Sequence, residues 1–225
     1  LTKKESSRAQ MLASLPSEAF NSVKTGEKKL TEVRREIRMS NIKDTPSLPS
    51  GKFRVFYADP PWSYGNTGQD NYGHAEAHYP SMSIQQLCDL PIKNIVEDDA
   101  VLFLWVTSPL LDECWPVIKA WGFEYKTSMV WDKDAHNFGH YVSVRHEMLL
   151  ICTRGSCTPD IKELPPSVMK IKRSKVHSQK PSEFRELIEK MYPNGNRIEL
   201  FARSSTKGWE VYGNQVQDGR IPTAA

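Results

Sequence analysis

Apolar residues along this chain fall into short blocks, some at the two-residue period of strands and some at the spacing of helices. Phe53-Arg54-Val55-Phe56-Tyr57 is β-branched and aromatic and predicts a short buried strand. Val101 to Val106 is apolar at every position, between Asp98-Asp99 and Ser108-Pro109. That is the pattern of a central parallel strand covered on both faces. Thr127 to Trp131, Glu147 to Thr153, Arg197 to Arg203 and Trp209 to Tyr212 predict further strands, and residues 132–146 a loop. Helices are predicted from Ser83, as N-cap, to Leu90; from Pro109 to Trp121, stopped by Gly122; and over 181–191, opened by Pro181. Strands and helices alternate from 53 to 212, which predicts an α/β fold: a Rossmann-like, doubly wound, mostly parallel sheet.

The N-terminal part has a different texture. Residues 5–14, 17–23 and 30–39 read as short helices, punctuated by Pro16 and Gly26, with Ser17 or Thr31 as possible caps. Residues 40–52 form a Pro/Ser/Gly connector. The expected organisation is a small helical arm over 1–40 and a main domain over 41–225. A loop rich in Gly, Asn, Tyr and His follows Trp62, and the last ten residues read as frayed.

Charge sharpens this division. The net charge of +3 is unevenly spread: residues 1–50 hold ten Lys/Arg against six Asp/Glu, and the remainder twenty against twenty-one. A basic arm suits nucleic acid, although a modest excess is more often a solvated face. No apolar run approaches a membrane span and no signal peptide is expected. The four cysteines, Cys88, Cys114, Cys152 and Cys157, show no framework pattern and suggest reduced thiols in a cytoplasmic protein, or a nuclear one in a eukaryote. Neither His136 with His140 nor Cys152 with Cys157 makes a compact four-ligand set, so no metal is expected. Glycine-rich dinucleotide and phosphate loops are absent.

The candidate chemistry lies just past the first strand, at Asp59-Pro60-Pro61-Trp62. Two prolines end the strand abruptly and display a carboxylate, a stiff turn and an aromatic face at its C-terminal edge, where open α/β sheets hold ligands. The set suits methyl transfer to an exocyclic amine. Such an amine is a poor nucleophile, and acceptors that hold its N–H groups help its nitrogen become tetrahedral. Asp59 supplies a carboxylate oxygen, Pro60 a backbone carbonyl aimed by the following Pro61, and Trp62 a surface for an extruded base. The alternative is structural: a Pro-Pro turn, with Asp59 as a helix cap and Trp62 in the core.

Further along, Lys180 precedes a helix N-terminus and makes an anion site fit for a carboxylate. Glu199 can accept from ribose hydroxyls or a cofactor amine, or else pair with Arg197. Asn214 and Gln215 can grip a ribose, or else form a plain turn. From 170 to 180 there are five basic residues and no acid. Lys172, Arg173 and Lys175 are candidates for phosphate contact, against the usual solvated loop. Tyr64 and Tyr79 could stack on a flipped base or its neighbours, or anchor the loop that carries them.

Asp59-Pro60-Pro61-Trp62, the strand Leu102 to Val106 and Ser178-Gln179-Lys180-Pro181 together resemble the MT-A (seventy-kilodalton type) family of N6-adenine methyltransferases, from about Asn41 to Gln215. The resemblance implies a class I methyltransferase fold with permuted motif order, S-adenosylmethionine as cofactor, and adenine in RNA or DNA as substrate. It adds Asn41 and Ile42 at the cofactor's adenine, where the family often has Asp in place of Asn41, and Asp59, Lys180, Glu199, Arg203, Asn214 and Gln215 along the cofactor. It also implies a dimer, of two copies or with a related subunit. The basic arm leans the choice of substrate toward DNA. One departure is Ser205-Thr206, where messenger-RNA enzymes of the family carry His-Asn. A non-catalytic nucleic-acid-binding subunit is the competing reading, and the intact tetrapeptide favours an enzyme.

Overall fold

The computed structural model describes residues 12, 15–30, 33, 47–63, 81–137, 141–174 and 179–213. The chain divides into two compact units, Leu1–Asp44 with Gly68–Pro80, and Thr45–Thr67 with Ser81–Ala225. In the first, α1 spans Ser17–Lys24. Pro16 takes its N-cap position with no side-chain cap, so Ser17 lies inside the helix instead of capping it.

The second unit is built on a seven-stranded sheet: β1 (Phe53–Ala58), β2 (Val96–Val106), β3 (Glu124–Asn137), β4 (Val144–Arg154), β5 (Val168–Lys170), β6 (Arg197–Leu200) and β7 (Glu210–Tyr212). Their order is β5-β3-β4-β2-β1-β6-β7. The β1–β2, β1–β6, β6–β7 and β3–β5 pairs are parallel, and β4 runs against both its neighbours. Chain order reverses at β1: β2 lies on one side and β6 on the other, the kind of switch point where such sheets bind ligands.

Both faces are buried from Ala100 to Val106, which explains why that part of β2 is apolar at every position, while Glu97, Asp98 and Asp99 at its start are not buried. Ala100, Leu102, Leu104 and Val106 share one core with Leu87 of α2 (Ile84–Asp89) and Val117 and Ile118 of α3 (Trp115–Ala120). Val101, Phe103 and Trp105 share the other with Phe184, Ile188 and Met191 of α4 (Ser182–Met191). Ser83 caps α2 as expected, its hydroxyl accepting from the Gln86 N–H while the Gln86 side chain accepts from the Ser83 N–H.

Three expected elements differ: the strand predicted over 197–203 ends at Leu200, where Phe201 takes φ 62°, and a helix and a loop change more. The helix predicted over 109–121 is a single 3₁₀ turn, Ser108–Leu110, followed by the shorter α3. Pro116 has no N–H to bond a carbonyl one turn back, so a continuous helix through that point is disfavoured. Gly122, at φ 86°, ends α3, with its N–H on Lys119 O and that of Phe123 on Ile118 O. The loop predicted over 132–146 is largely a hairpin, because β3 and β4 continue well past Trp131 and Glu147. Arg145 clamps Asp132 across the two strands through both its Nε and Nη2. Among the described residues, no helix is long and apolar enough to cross a membrane, and the four cysteines are free thiols.

Candidate active site

Strand alternation sorts the charged residues. On β1, Val55 and Tyr57 enter the core beneath α4, and Asp59 continues that series one step past the strand end. On β6, Ile198 and Leu200 face the opposite core, which turns Glu199 toward the α4 side. On β3, Met129 and Trp131 point to the α4 side and Lys133 follows them; on β4, Glu147 precedes Leu149 in the same way. Because β4 is antiparallel, its first half reaches the edge where β1, β2 and β6 end. Lys180 arrives there just ahead of Pro181, the N-cap of α4.

These groups form one alternating chain of charge. Lys180 Nζ lies 2.8 Å from each carboxylate oxygen of Asp59 and 3.3 Å from Oε2 of Glu147. The other Glu147 oxygen accepts from Lys133 Nζ at 2.5 Å, and Arg203 Nη2 stands 3.9 Å from Asp59. Lys180 also lies 5.5 Å over the Trp105 ring, and Lys133 5.2 Å over Trp131. Trp105 in turn donates from Nε1 to the Tyr57 hydroxyl at 2.8 Å. A second ion pair, Arg185 with Glu199 at 2.7 Å, flanks the chain.

Burial opposes the charged form of Glu147, but Lys180 and Lys133 outweigh it and hold the carboxyl below its ordinary range. Burial likewise opposes the Lys180 ammonium, and Asp59 and Glu147 overcome it to raise that group. Glu199 goes the other way: burial raises it, and Arg185 only partly compensates.

Asp59, Lys180, Arg203 and Glu199 therefore come to one edge. Glu199 pairs with Arg185, not with Arg197, whose guanidinium donates to the carbonyls of Tyr192 and Pro193. The Pro60 carbonyl accepts from the Trp62 N–H at 2.8 Å, leaving one lone pair for a further donor, and Pro61 O accepts from Met82 N–H. Trp62 corrects the expected stacking role. Its indole is 7% exposed, lies in the core and donates to Trp105 O, so it forms wall, not a platform for a base. Lys172 and Arg173 are exposed, on a segment that prolongs β5 through bonds from Ile171 and Arg173 N–H to the carbonyls of Asp132 and Lys133. Asn41, Ile42, Tyr64, Tyr79, Lys175, Asn214 and Gln215 lie outside the described residues.

Lys133 and Glu147 escaped the sequence reading. Their signal is the period of two: each continues, by one step, an inward-facing series of apolar residues in its strand. No group of three or more potential metal ligands occurs among the described residues.

The edge fits a zwitterionic cofactor bearing an extra positive charge. It offers carboxylates at Asp59 and Glu199 and cations at Lys180 and Arg203, and its backbone is closely packed beyond β7. A Cβ on Gly213 would lie 2.3 Å from Ala202 O, so only glycine lets the chain pass there, just before Asn214.

Comparison with known proteins accords with this geometry. The MT-A70 family model matches residues 53–215. The type II methyltransferase M.MunI of Mycoplasma sp is 36% identical over 194 residues, covering 78% of this chain and 83% of that protein. The N(6)-adenosine-methyltransferase MT-A70-like protein of Drosophila melanogaster is 29% identical over 181 residues, 76% of this chain and 28% of that one. The human N(6)-adenosine-methyltransferase catalytic subunit METTL3 is 28% identical over 176 residues, 74% of this chain and 28% of the subunit. The chain thus spans roughly five-sixths of the first relative and little more than a quarter of the other two.

Proposed function

The chain belongs to the MT-A70 family of S-adenosylmethionine-dependent methyltransferases, and from that premise we propose that it methylates the N6 amine of adenine in nucleic acid, DNA in preference to RNA. The observation that carries this reading is the Asp59 carboxylate at the end of β1, held by Lys180. S-adenosylmethionine, when bound, supplies an electrophilic methyl group on a sulfonium. Asp59, Lys180, Arg203 and Glu199 are the described residues that would hold it, with Asn41, Ile42, Asn214 and Gln215 as further proposed contacts.

Asp59 accepts an N–H of the target amine, and the remaining lone pair of the Pro60 carbonyl is available for the other. The carboxylate need not remove a proton before attack, since a neutral aryl amine is far too weak an acid. As the amine nitrogen becomes positive, the carboxylate stabilises it more than it stabilises the neutral ground state. The proton leaves afterwards to water, from a nitrogen made acidic by methylation. Lys172, Arg173 and Lys175 are suited to backbone phosphates, and Tyr64 and Tyr79 to bases around the target. The preference for DNA rests on the basic excess in residues 1–50, and the working form as a dimer rests on the family.

A labelled-methyl assay on matched single-stranded DNA, duplex DNA and RNA tests this. Label recovered as N6-methyladenine, more of it in DNA, is the expected result. No transfer to any of the three overturns the activity and favours a non-catalytic subunit. Transfer to RNA alone overturns only the preference.

A further inference from the structure

We propose that Lys133 and Glu147 are positioning residues: together they hold Lys180 on Asp59 and so fix the carboxylate that meets the target amine. The inference rests on the reading of Asp59 given above. Lys180 has three N–H donors. Its contacts are the two oxygens of Asp59 and one oxygen of Glu147, and the second Glu147 oxygen belongs to Lys133. Each partner restrains the next, from β3 through β4 to the segments that follow β1 and precede α4.

Stability alone does not account for such an arrangement. Lys133 is the one charged residue in the buried set of the described residues, at 8% exposure. Taking an ammonium and a carboxylate out of water costs several kcal/mol per ion, and apolar replacements of buried pairs are often neutral or better. Yet this pair sits at the end of the apolar series of β3 and β4, against the group that holds Asp59.

The consequences of removing each member follow from charge. Without Lys133, Glu147 is a buried carboxylate with one cation left, and it draws Lys180 away from Asp59. Without Glu147, Lys133 and Lys180 are like charges facing each other with nothing between. Without both, Lys180 keeps Asp59 as its partner and loses only its lateral restraint. Among the described residues, the groups around Glu147 are few. Lys133 comes from β3, Lys180 from the segment before α4, and Asp59 stands behind Lys180. On its own strand, Arg145 is engaged by Asp132 and His146 contacts the Ser108 hydroxyl.

The test uses the full chain with Lys133→Met and with the double substitution Lys133→Met/Glu147→Gln. Lys133→Met is expected to lower kcat between about tenfold and a hundredfold, the scale of a small misplacement at a reacting group, with cofactor KM little changed. It should also move the acid limb of the kcat–pH profile to lower pH, because Glu147 then takes up a proton more readily and, once neutral, no longer draws Lys180 from Asp59. The double variant removes the titrating group. Its acid limb should return to the wild-type position, and its kcat should recover to within about threefold to tenfold of wild type. A purely structural pair would change melting temperature and leave the limb in place. An unmoved limb in Lys133→Met, or the same displaced limb in both variants, overturns the inference. If Lys133→Met does not fold, the charge-balanced double variant decides: a kcat equal to wild type overturns the inference, and the stated loss with normal cofactor binding by calorimetry supports it. A wild-type protein unable to methylate adenine would overturn the reading of the site; wild-type activity with indifferent variants overturns this step alone.

Discussion

Lys180 places its ammonium 2.8 Å from both carboxylate oxygens of Asp59, a residue 121 positions earlier in the chain. Under the proposed function a cation so engaged would serve two tasks, restraining the acceptor for the amine and meeting a cofactor carboxylate. Lys180→Ala should therefore weaken S-adenosylmethionine binding by about 1.5–3 kcal/mol, the range for hydrogen bonds to charged groups. It should also lower the melting temperature, because Asp59 and Glu147 lose the charge between them. Calorimetry and thermal unfolding check the two effects separately. An unchanged dissociation constant with reduced stability would confine Lys180 to holding Asp59.

Trp62→Ala should act on the fold first. The indole belongs to the core that also holds Phe56, Ala58 and Leu104, and it donates to Trp105 O. Truncation should cost about 3–5 kcal/mol, as for other buried Trp residues. Nucleic-acid affinity, expressed per folded molecule in denaturant-free buffer, should change little. A fully stable Trp62→Ala protein with selectively weakened binding would restore the stacking role.

Residue patterns made some features legible and hid others, for physical reasons. The Val101–Val106 part of β2 was readable because both its faces are buried, so no polar position interrupts it, whereas the acidic start of the strand was not. Asp59 was readable because two prolines mark the strand end, and Lys180 because Pro181 marks a helix start. The β3–β4 hairpin was not readable beyond Trp131. Cross-strand ion pairs such as Asp132 with Arg145 hold it, and alternating charges in sequence look like a solvated loop. Lys133 and Glu147 were lost with it. For Trp62, an aromatic after a turn serves equally as wall or platform, and the deciding partner, the Trp105 carbonyl, is 43 residues away.

The hairpin clamp has a pH signature. The Arg145 side chain, helped by the Asp134 N–H, lowers the Asp132 carboxyl to about 2. A folded-state value below the unfolded one means that ionised Asp132 stabilises the fold above the ordinary carboxylate range. That contribution is lost as pH falls through about 2. Carboxyl-carbon titration by NMR should find Asp132 near the bottom of the accessible range in the wild type and close to ordinary in Arg145→Met. Both partners are partly exposed, so salt should weaken the clamp. An ordinary value in the wild type would mean that the pair does not persist in solution.

Phosphate contact by the segment after β5 predicts salt-dependent binding. Lys172→Ala and Arg173→Ala should each reduce the slope of log K against log salt by about one, across unrelated sequences alike. Deletion of residues 1–40 should reduce it as well if the basic arm meets the backbone. Fluorescence anisotropy over a salt series measures all three. Deletion that leaves affinity and slope untouched assigns the arm a role away from nucleic acid.

Asp59→Asn separates charge from shape at the reacting nitrogen. The amide keeps an oxygen acceptor and nearly the same volume, and it removes the negative charge that faces the amine as the nitrogen becomes positive. It also leaves Lys180 with Glu147 as its one carboxylate among the contacts described, so the cation should shift toward β4. Both effects fall on the transition state more than on cofactor binding, which retains Lys180, Arg203 and Glu199. Turnover should fall by about a hundredfold or more, with cofactor affinity reduced far less. Single-turnover kinetics with saturating cofactor isolates the methyl-transfer step from product release. Raising the pH should not rescue the variant, because the missing contribution is a fixed charge and not a proton acceptor awaiting deprotonation. Near-normal methylation by Asp59→Asn would refute the charge argument and leave the Pro60 carbonyl as the group that orients the amine.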